Sequence, residues 1–569
     1  MDLKELIKTE IWELYEKSLT FMHRKNIFSD SDTNFRMFNG DQWAGLKVSG
    51  IEKIQYNVIK PIVKHKVSTI TSNLFAINYS PENIENSEFL DAAQKSCDLL
   101  NKMASKTWDK DFMDSKVRKW ARQACINDEA IAYVTYNEDL DMPINEIISK
   151  NDIMYGDEND DNIQEQPYIL IRQRKPVMEL KKIAEENGVK AEELESIRGD
   201  SDTSTIAGID GKDELEDKCW LITKFYKKDG TVHFSQSTQF CEIKKDEDTG
   251  LTLYPIAHFN WEDNEGSARG IGEVRGLIPN QLEINKTAMR RAAVTKSISY
   301  PQRVINVDAI DNINDVNKVG ATIKFKDMGN TRASDVFMMT SPGQMGVDSE
   351  KLQTELIQYS RELNNASEIT TGSVNPEQAS GKAILAVQNA QNQPLTDQLQ
   401  GLKAFIEDIA RIWFDMWKVY PEDALKIENE IVDPMTNETT KETVEIPSYI
   451  LDALSASVKV DITPRGSYDR YAQELSLENL FKQGGITFEE YVKSLDSDSV
   501  MPKAKLEMIL EARKEAQRQI QNIQMQAEQM KQEAVQANQN AQDINNIEQE
   551  AGGMLAEYMG NQEGNQATA

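Results

Sequence analysis

The tripeptide Ser380-Gly381-Lys382 is the first place to look for chemistry, because Gly-Lys is how a phosphate-binding loop ends. Such a loop also needs a Gly five residues before the second one, so that backbone amides can cradle phosphates. It needs a hydroxyl directly after the Lys to hold magnesium. Here those positions are Pro376 and Ala383, so the motif fails at both ends. A second near-match, GIGEVRG over residues 270–276, mimics a dinucleotide fingerprint. Its third Gly arrives one residue late and no strand–helix–strand unit surrounds it, so it reads as a flexible lead-in to the following helix. His23, His65, His233 and His258 lie far apart and share no metal-ligand spacing. The acidic stretch DIMYGDENDDNIQEQ (152–166) lacks the alternating spacing and distal Glu of an EF-hand and reads as a solvated loop. No GxSxG elbow occurs. Cys97, Cys125, Cys219 and Cys241 form no CxxC pair and read as reduced, partly buried thiols. We expect no catalytic residue, cofactor or metal, and no enzyme.

Bulk properties narrow the classes further. The 569 residues carry 94 acidic and 64 basic side chains, a formal charge of −30. That balance argues against broad gripping of a nucleic-acid backbone, which needs clustered Lys and Arg. It does not oppose DNA passing nearby without sticking, since like charges repel. No run approaches the roughly 20 apolar residues of a membrane span. The charged, amphipathic start MDLKELIKTEIWELYEK is unlike a signal peptide, so the expected setting is reducing and aqueous.

Periodicity supplies the elements. Leu3, Leu6, Ile7, Ile11 and Leu14 predict an opening helix, and Asn39-Gly40 a tight turn between aromatic anchors. A mostly helical region is expected from about Gln55 to Tyr133, with Trp108, Phe112, Trp120 and Ile126 on one side. Short β-prone runs (YILIRQR, CWLITKFYKK, TVHFSQS, YPIAHFNW) fill about 130–260. Residues 272–298 read as a helix with a poor apolar stripe and the basic residues Lys286, Arg290, Arg291 and Lys296. Residues 299–346 are β- and turn-rich. A second helix from Ser349 carries Leu352, Leu356, Tyr359, Leu363 and Ala366. After the Gly/Pro break GSVNPEQASGKAI (372–384) comes a heptad seam: Leu395, Leu399, Leu402, Ile406, Ile409, Trp413 and Met416. We expect a helix from Ala383 to Trp417, kinked at Pro394, whose seam serves either a partner chain or its own domain. Residues 421–466 are again β-like, and 469–513 helical with a stop at Gly484-Gly485. The Gln-rich tail 501–569 reads as a marginal helix, in a coiled coil or partly disordered, with a disordered end. The fold class is α+β, helix-rich.

This order of parts, with FNGDQW (38–43), NVIKPIVKHKVSTI (57–70), ARGIGEVRGLIPNQLEINK (268–286) and EITTGSVNPEQASGKAI (368–384), resembles the portal (head–tail connector) proteins of tailed bacteriophages over roughly residues 30–500. The resemblance implies a dodecameric ring at one capsid vertex, and so a place in the virion and, during assembly, in the host cytoplasm. Terminase would package double-stranded DNA through the ring, and DNA would leave through it at infection. Partners would be terminase, tail adaptor proteins, and major capsid and scaffolding proteins, with no membrane. By position, 1–271 becomes the N-terminal helices and wing, 272–298 the first stem helix and 299–346 the clip. The second stem helix is then 347–370, the tunnel loop 371–383 and the long kinked wing helix 384–420. The crown is 421–500, and 501–569 a tail that could form a helical barrel. Gly372, Asn375, Gln378, Ser380 and Lys382 would line the tunnel loop, and Arg303, Lys318, Lys324 and Lys326 would mark the clip face for terminase or adaptor. Lys286, Arg290, Arg291 and Lys296 would face the channel or, equally, pair with acidic residues of neighbouring subunits. Two rival readings are a non-enzymatic scaffold or adaptor that oligomerises through the heptad helix, and a phosphate-using enzyme built on SGK. A ring repeats Lys382 once per subunit, and each exposed pairing at 4 Å is worth only about 1 kcal/mol, enough to touch DNA without holding it. Lys382→Glu is therefore expected to lower the DNA content of particles while leaving the ring intact; unchanged DNA content counts against the channel role.

Overall fold

A computed structural model describes residues 8–45, 52–82, 87–199, 217–299, most of 302–340, 347–364, 393–421, 424–432, 439–463 except 455, and most of 477–494, with scattered positions to 510. The chain divides between Pro464 and Arg465 into two compact units.

The first unit opens with α1 (Glu10–Arg24), capped where Thr9 Oγ1 accepts from the Trp12 amide at 3.2 Å, with Glu10 and Glu13 favourably placed in its first turn. Next come α2 (Ile27–Asn39), ended by Gly40 at φ 98, and α3 (Ile59–Ile70). Then follow β1 (Leu74–Pro81), α4 (Ser87–Lys110), α5 (Met113–Asn127), β2 (Glu129–Asn137), β3 (Met142–Ile148), β4 (Ile153–Tyr155) and β5 (Ile169–Pro176). After α6 (Val177–Glu186) and α7 (Ala191–Leu194) come β6 (Lys218–Lys228), β7 (Thr231–Ser237), β8 (Glu242–Asp248) and β9 (Ile256–Asn260). Two antiparallel sheets result, in the orders β3-β2-β9 and β4-β5-β6-β7-β8. The unit continues with α8 (Glu273–Ser299), β10 (Gln302–Ile305), α9 (Ala333–Val336), β11 (Phe337–Thr340), α10 (Val347–Glu362) and α11 (Thr396–Val419). It closes with β12 (Ala424–Val432), β13 (Thr439–Pro447) and β14 (Ala456–Thr463). The fold is mixed helix and sheet, of the α+β class.

One helix organises the core. In α11 the heptad residues Leu402, Ile406, Ile409, Trp413 and Met416 are all within 1 % of full burial. They belong to the main core of the same unit: Trp413 Nε1 donates to Asn145 Oδ1 at 3.3 Å, and beside the seam Phe405 meets Trp120 edge-on at 5.3 Å and Ala410 O accepts from the Tyr79 hydroxyl at 2.8 Å. Of the two destinations open to the seam, the structure therefore shows its own domain. The helix passes over β9 so closely that a Cβ on Gly401 would lie 2.9 Å from the Phe259 ring, which explains a Gly in mid-helix.

Several expectations are corrected. Pro394 sits in a 3-10 turn, Gln393–Leu395, rather than inside the described helix, and α11 begins after it, where a missing amide costs nothing. Residues 383–392 of the expected long helix lie outside the described residues. The region 55–133 is not helical throughout, because β1 interrupts it and pairs antiparallel with β14, nearly four hundred residues away. Phe112 does not share the buried side of Trp120 and Ile126; it is exposed at the break between α4 and α5. Strands β12–β14, grouped above with 465–500, belong to the first compact unit. In the second unit, Tyr491 and Val492 form a small cluster with Phe488, Ile486 and Leu477, and Gly484 turns the chain at φ 74. The tail 511–569 lies outside the described residues. The four cysteines are buried and form no disulfide, and burial pushes the Cys97 and Cys241 thiols up to about 11. Among the described residues, no helix is long and apolar enough to cross a membrane.

Two glycine replacements separate close approach from helix propensity. Gly401→Ala is expected to lower the melting temperature, at a cost of about 1–3 kcal/mol from overpacking. Gly276→Ala in α8, where a Cβ meets nothing within 4 Å, is expected to raise it by up to about 1 kcal/mol. Thermal melts of the two variants give the signs, and equal shifts would refute the packing account.

Candidate functional site: a helical excursion rooted in buried charge

The chain leaves the core at α8 and returns at α10, and what lies between is anchored by charge. Arg269, four residues before α8, is 9 % exposed and has five N–H donors to satisfy. Its Nε donates to Glu158 Oε2 at 2.8 Å and Nη2 to Glu158 Oε1 at 3.0 Å. Nη1 donates to Glu129 Oε1 at 2.6 Å and to Lys150 O at 3.2 Å, and Nη2 also to Ile153 O at 3.1 Å. Five donors meet five acceptors, and the guanidinium lies over the Tyr155 ring at 5.0 Å. Glu129, wholly buried on β2, accepts further from His258 Nε2 at 2.7 Å. Burial opposes ionisation of Glu129, but Arg269 and then His258 outweigh it and hold the carboxyl down at about 2. The acidic loop is thus only partly solvated: Glu158 is drawn inward, and Gln166 ties the loop back through Asp157 and Asp160 carbonyls at 2.8 Å each.

The glycine lead-in is not flexible. The Gly272 amide donates to Asp128 Oδ1 at 2.7 Å, and a Cβ there would lie 2.8 Å from the Asp128 nitrogen. One on Gly270 would lie 2.7 Å from Glu262 O. Asp128 also pairs with the buried Lys150, and Glu273, the first residue of α8, pairs with Lys66 of α3 at 2.6 Å. Both glycines are thus spaces for other groups rather than hinges.

The first half of α8 then lies in the core, and its poor apolar stripe has a reason. Gln281 and Asn285, at most 1 % exposed, serve backbone that forms no regular structure. Gln281 Oε1 accepts from the Val58 amide at 2.8 Å and its Nε2 donates to Tyr56 O at 2.7 Å. Asn285 Oδ1 accepts from the Tyr56 amide at 3.0 Å and its Nδ2 donates to Gln42. Buried amides thus replace part of the hydrophobic face. Beyond Ala288 the helix emerges and is braced by α10, with Arg291 Nη1 donating to Gln353 Oε1 at 2.6 Å. At the tip, β10 and β11 pair antiparallel over a small core of Ala309, Ile310, Val316 and Val336.

The expected site residues fall as follows. Gly372, Asn375, Gln378, Ser380 and Lys382 lie outside the described residues. Lys286 and Arg290 pair with Glu283 of their own helix, at 3.9 and 3.0 Å, and Lys296 is exposed. At the tip, Lys318 pairs with Asp315 at 2.7 Å and Lys326 with Asp311 at 3.6 Å. The Lys324 amide donates to Asn312 Oδ1 at 2.8 Å, and Arg303 stands on β10 opposite Met339. The stem and clip residues therefore share one excursion without converging on a single cluster. Sequence reasoning missed the apolar surface of that excursion: Val304, Val307 and Met338 at the tip, Leu352 and Tyr359 on α10 and Leu363 just past its end are 44–77 % exposed. The last three recur at intervals of seven and four, a spacing visible in the sequence, which does not tell an exposed stripe from a buried one. Among the described residues no group of three or more His, Cys, Asp or Glu could hold a metal ion. No protein-family model matches the chain, and no curated protein matches it.

Glu129→Gln is expected to destabilise the first unit by about 3–5 kcal/mol near neutral pH, because it removes one of the two carboxylates that neutralise the buried Arg269. The carboxyl is depressed below its ordinary 4.5, so its contribution is full above that value and is lost as pH falls toward about 2. Melting temperatures of variant and parent should converge across that window, and a pH-independent gap would overturn the assignment.

Proposed function

We propose that the chain is a portal-type subunit, a non-enzymatic protein that assembles into a ring through which double-stranded DNA is packaged and released. The observation that carries this reading is the excursion: a helix rooted in charge, a small β tip with its own core, and a returning helix, with large apolar side chains left in water. Single exposed apolar residues need no explanation, but a concentration along one projecting element marks a surface made to be covered. Copies of the same chain, side by side in a closed ring, cover it repeatedly. The acidic balance suits a channel that passes DNA without binding it. In this reading α8 and α10 are the stem, residues 299–346 are the clip that meets terminase and then tail adaptor, and the tunnel loop follows α10. The adaptor alternative loses its premise, since the heptad seam it needs is spent in the core of its own domain.

The test is the mass of the purified full-length chain by light scattering, with negative-stain images of the same fraction. A ring of about a dozen subunits with a central hole is expected. Leu352→Glu combined with Tyr359→Glu, both on exposed positions, is expected to abolish the ring while leaving circular dichroism and melting of the subunit unchanged. A stable dimer or trimer, or normal rings from the double variant, would overturn the reading.

A further inference from the structure

Helices α3 and α5 pack on each other and reverse the charge balance of the chain. α3 (IKPIVKHKVSTI) contains no acidic residue, and α5 (MDSKVRKWARQACIN) contains one, Asp114, which accepts from Trp108 Nε1 at 3.0 Å. Their cations sort by depth. Those turned inward are paired: Lys66 with Glu273 at 2.6 Å, and Lys116 with Asp111 and the Asn145 carbonyl. Those turned outward are not. Lys64, Arg118, Lys119 and Arg122 are exposed and have no ion-pair partner among the described residues, and exposed Lys60 meets only the Phe38 ring, at 5.9 Å.

The spacing works against the fold. Lys60 and Lys64 stand one turn apart, as do Arg118 and Arg122 with Lys119 beside them, and like charges at that spacing destabilise a helix. Other helices set a carboxylate there instead, as with Lys182 and Glu186 on α6 or Lys403 and Glu407 on α11. Nor is the face apolar. Between the cations stand Pro61 and Ser115, and no large apolar side chain of either helix is exposed. A protein partner needs an apolar anchor at the centre of its interface, whereas a phosphate backbone needs only clustered Lys and Arg.

We propose that the outward stripes of α3 and α5 bind the phosphodiester backbone of duplex DNA. The inference goes beyond the channel reading, which places no contact on these helices, and it does not depend on a ring. Arg118 and Arg122 offer planar donor forks to phosphate oxygens, and Lys60, Lys64 and Lys119 act as point charges. Contacts of this kind fix position without reading sequence. The net charge of −30 does not forbid them. At physiological salt a charge is screened beyond about 8 Å, so distant carboxylates scarcely weaken a local patch.

The test is fluorescence anisotropy of a labelled DNA duplex with the full-length chain, titrated with salt. Affinity is expected to fall steeply as salt rises, because the bound cations displace counterions. Arg118→Gln with Arg122→Gln, and separately Lys60→Gln with Lys64→Gln, are each expected to weaken binding at least about tenfold at low salt. Each pair should also flatten the slope of log affinity against log salt by about two. Both relieve like-charge pairs, so melting temperatures are expected at or above that of the parent. Lys182→Gln with Lys245→Gln removes the same charge from cations that already face carboxylates, and is expected to change neither affinity nor slope. A parent chain without salt-dependent binding, or either stripe variant matching that control, would overturn the DNA surface while leaving the ring reading standing. Displacement of the duplex by poly-glutamate at equal charge would assign the stripes to an acidic protein face and overturn it too.

Discussion

The start of α8 depends on one buried cation. A guanidinium inside a protein is costly unless each of its five donors finds an acceptor, and an incomplete set is worse than none. Arg269 finds all five by drawing on β2, on the acidic loop after β4, on a carbonyl between β3 and β4 and on the first carbonyl of β4. Those acceptors come from segments more than a hundred residues upstream, so the pairing fixes where the sheet region stops and α8 begins. The direction of α8 is then set twice more, by Gly272 against Asp128 and by Glu273 against Lys66. Such over-determination suits a helix that must carry structure away from the core without pivoting.

Polar atoms do a second job along that helix. A conventional amphipathic face would have packed α8 against regular elements, but its neighbour over residues 54–58 is backbone outside any helix or strand. Backbone of that kind brings donors and acceptors that apolar side chains cannot satisfy. Gln281 and Asn285 answer both needs at one place, which makes the helix specific to this docking position rather than merely buried.

Legibility in the sequence followed the range of the physics involved. The seam of α11 was readable because a helix repeats its buried face every three and four residues, all within one segment. The β6–β7 pairing was similarly local, with Asp229-Gly230 marking the turn, both residues at positive φ. The weak stripe of α8 was seen correctly but not explained, since its cause lies in residues 42–58. Arg269 gave no signal, because Glu129 and Glu158 are adjacent to it only in space. β1 was hidden for the same reason: its partner strand lies near residue 460. Phe112 was misassigned because nothing in its local sequence marks a helix stop, and a helical window runs smoothly across a break that tertiary contacts impose. The loop residues on which the channel reading leans, 371–383, carry neither periodicity nor partners that composition could reveal.

Helix α8 can also be viewed as a beam clamped at one end. Of its 27 residues, those to about Ala288 are clamped, which leaves about eleven residues, or about 17 Å, braced among the described residues by α10. For a clamped beam, deflection at the free end grows with the cube of the unsupported length and bending is greatest just outside the clamp, so the contact between α8 and α10 where Arg291 and Gln353 meet shortens the effective lever and stiffens it steeply. Stiffness in such a device is tuned by polar contacts between the two helices, and its seat in the core stays the same whatever the tip is made to hold.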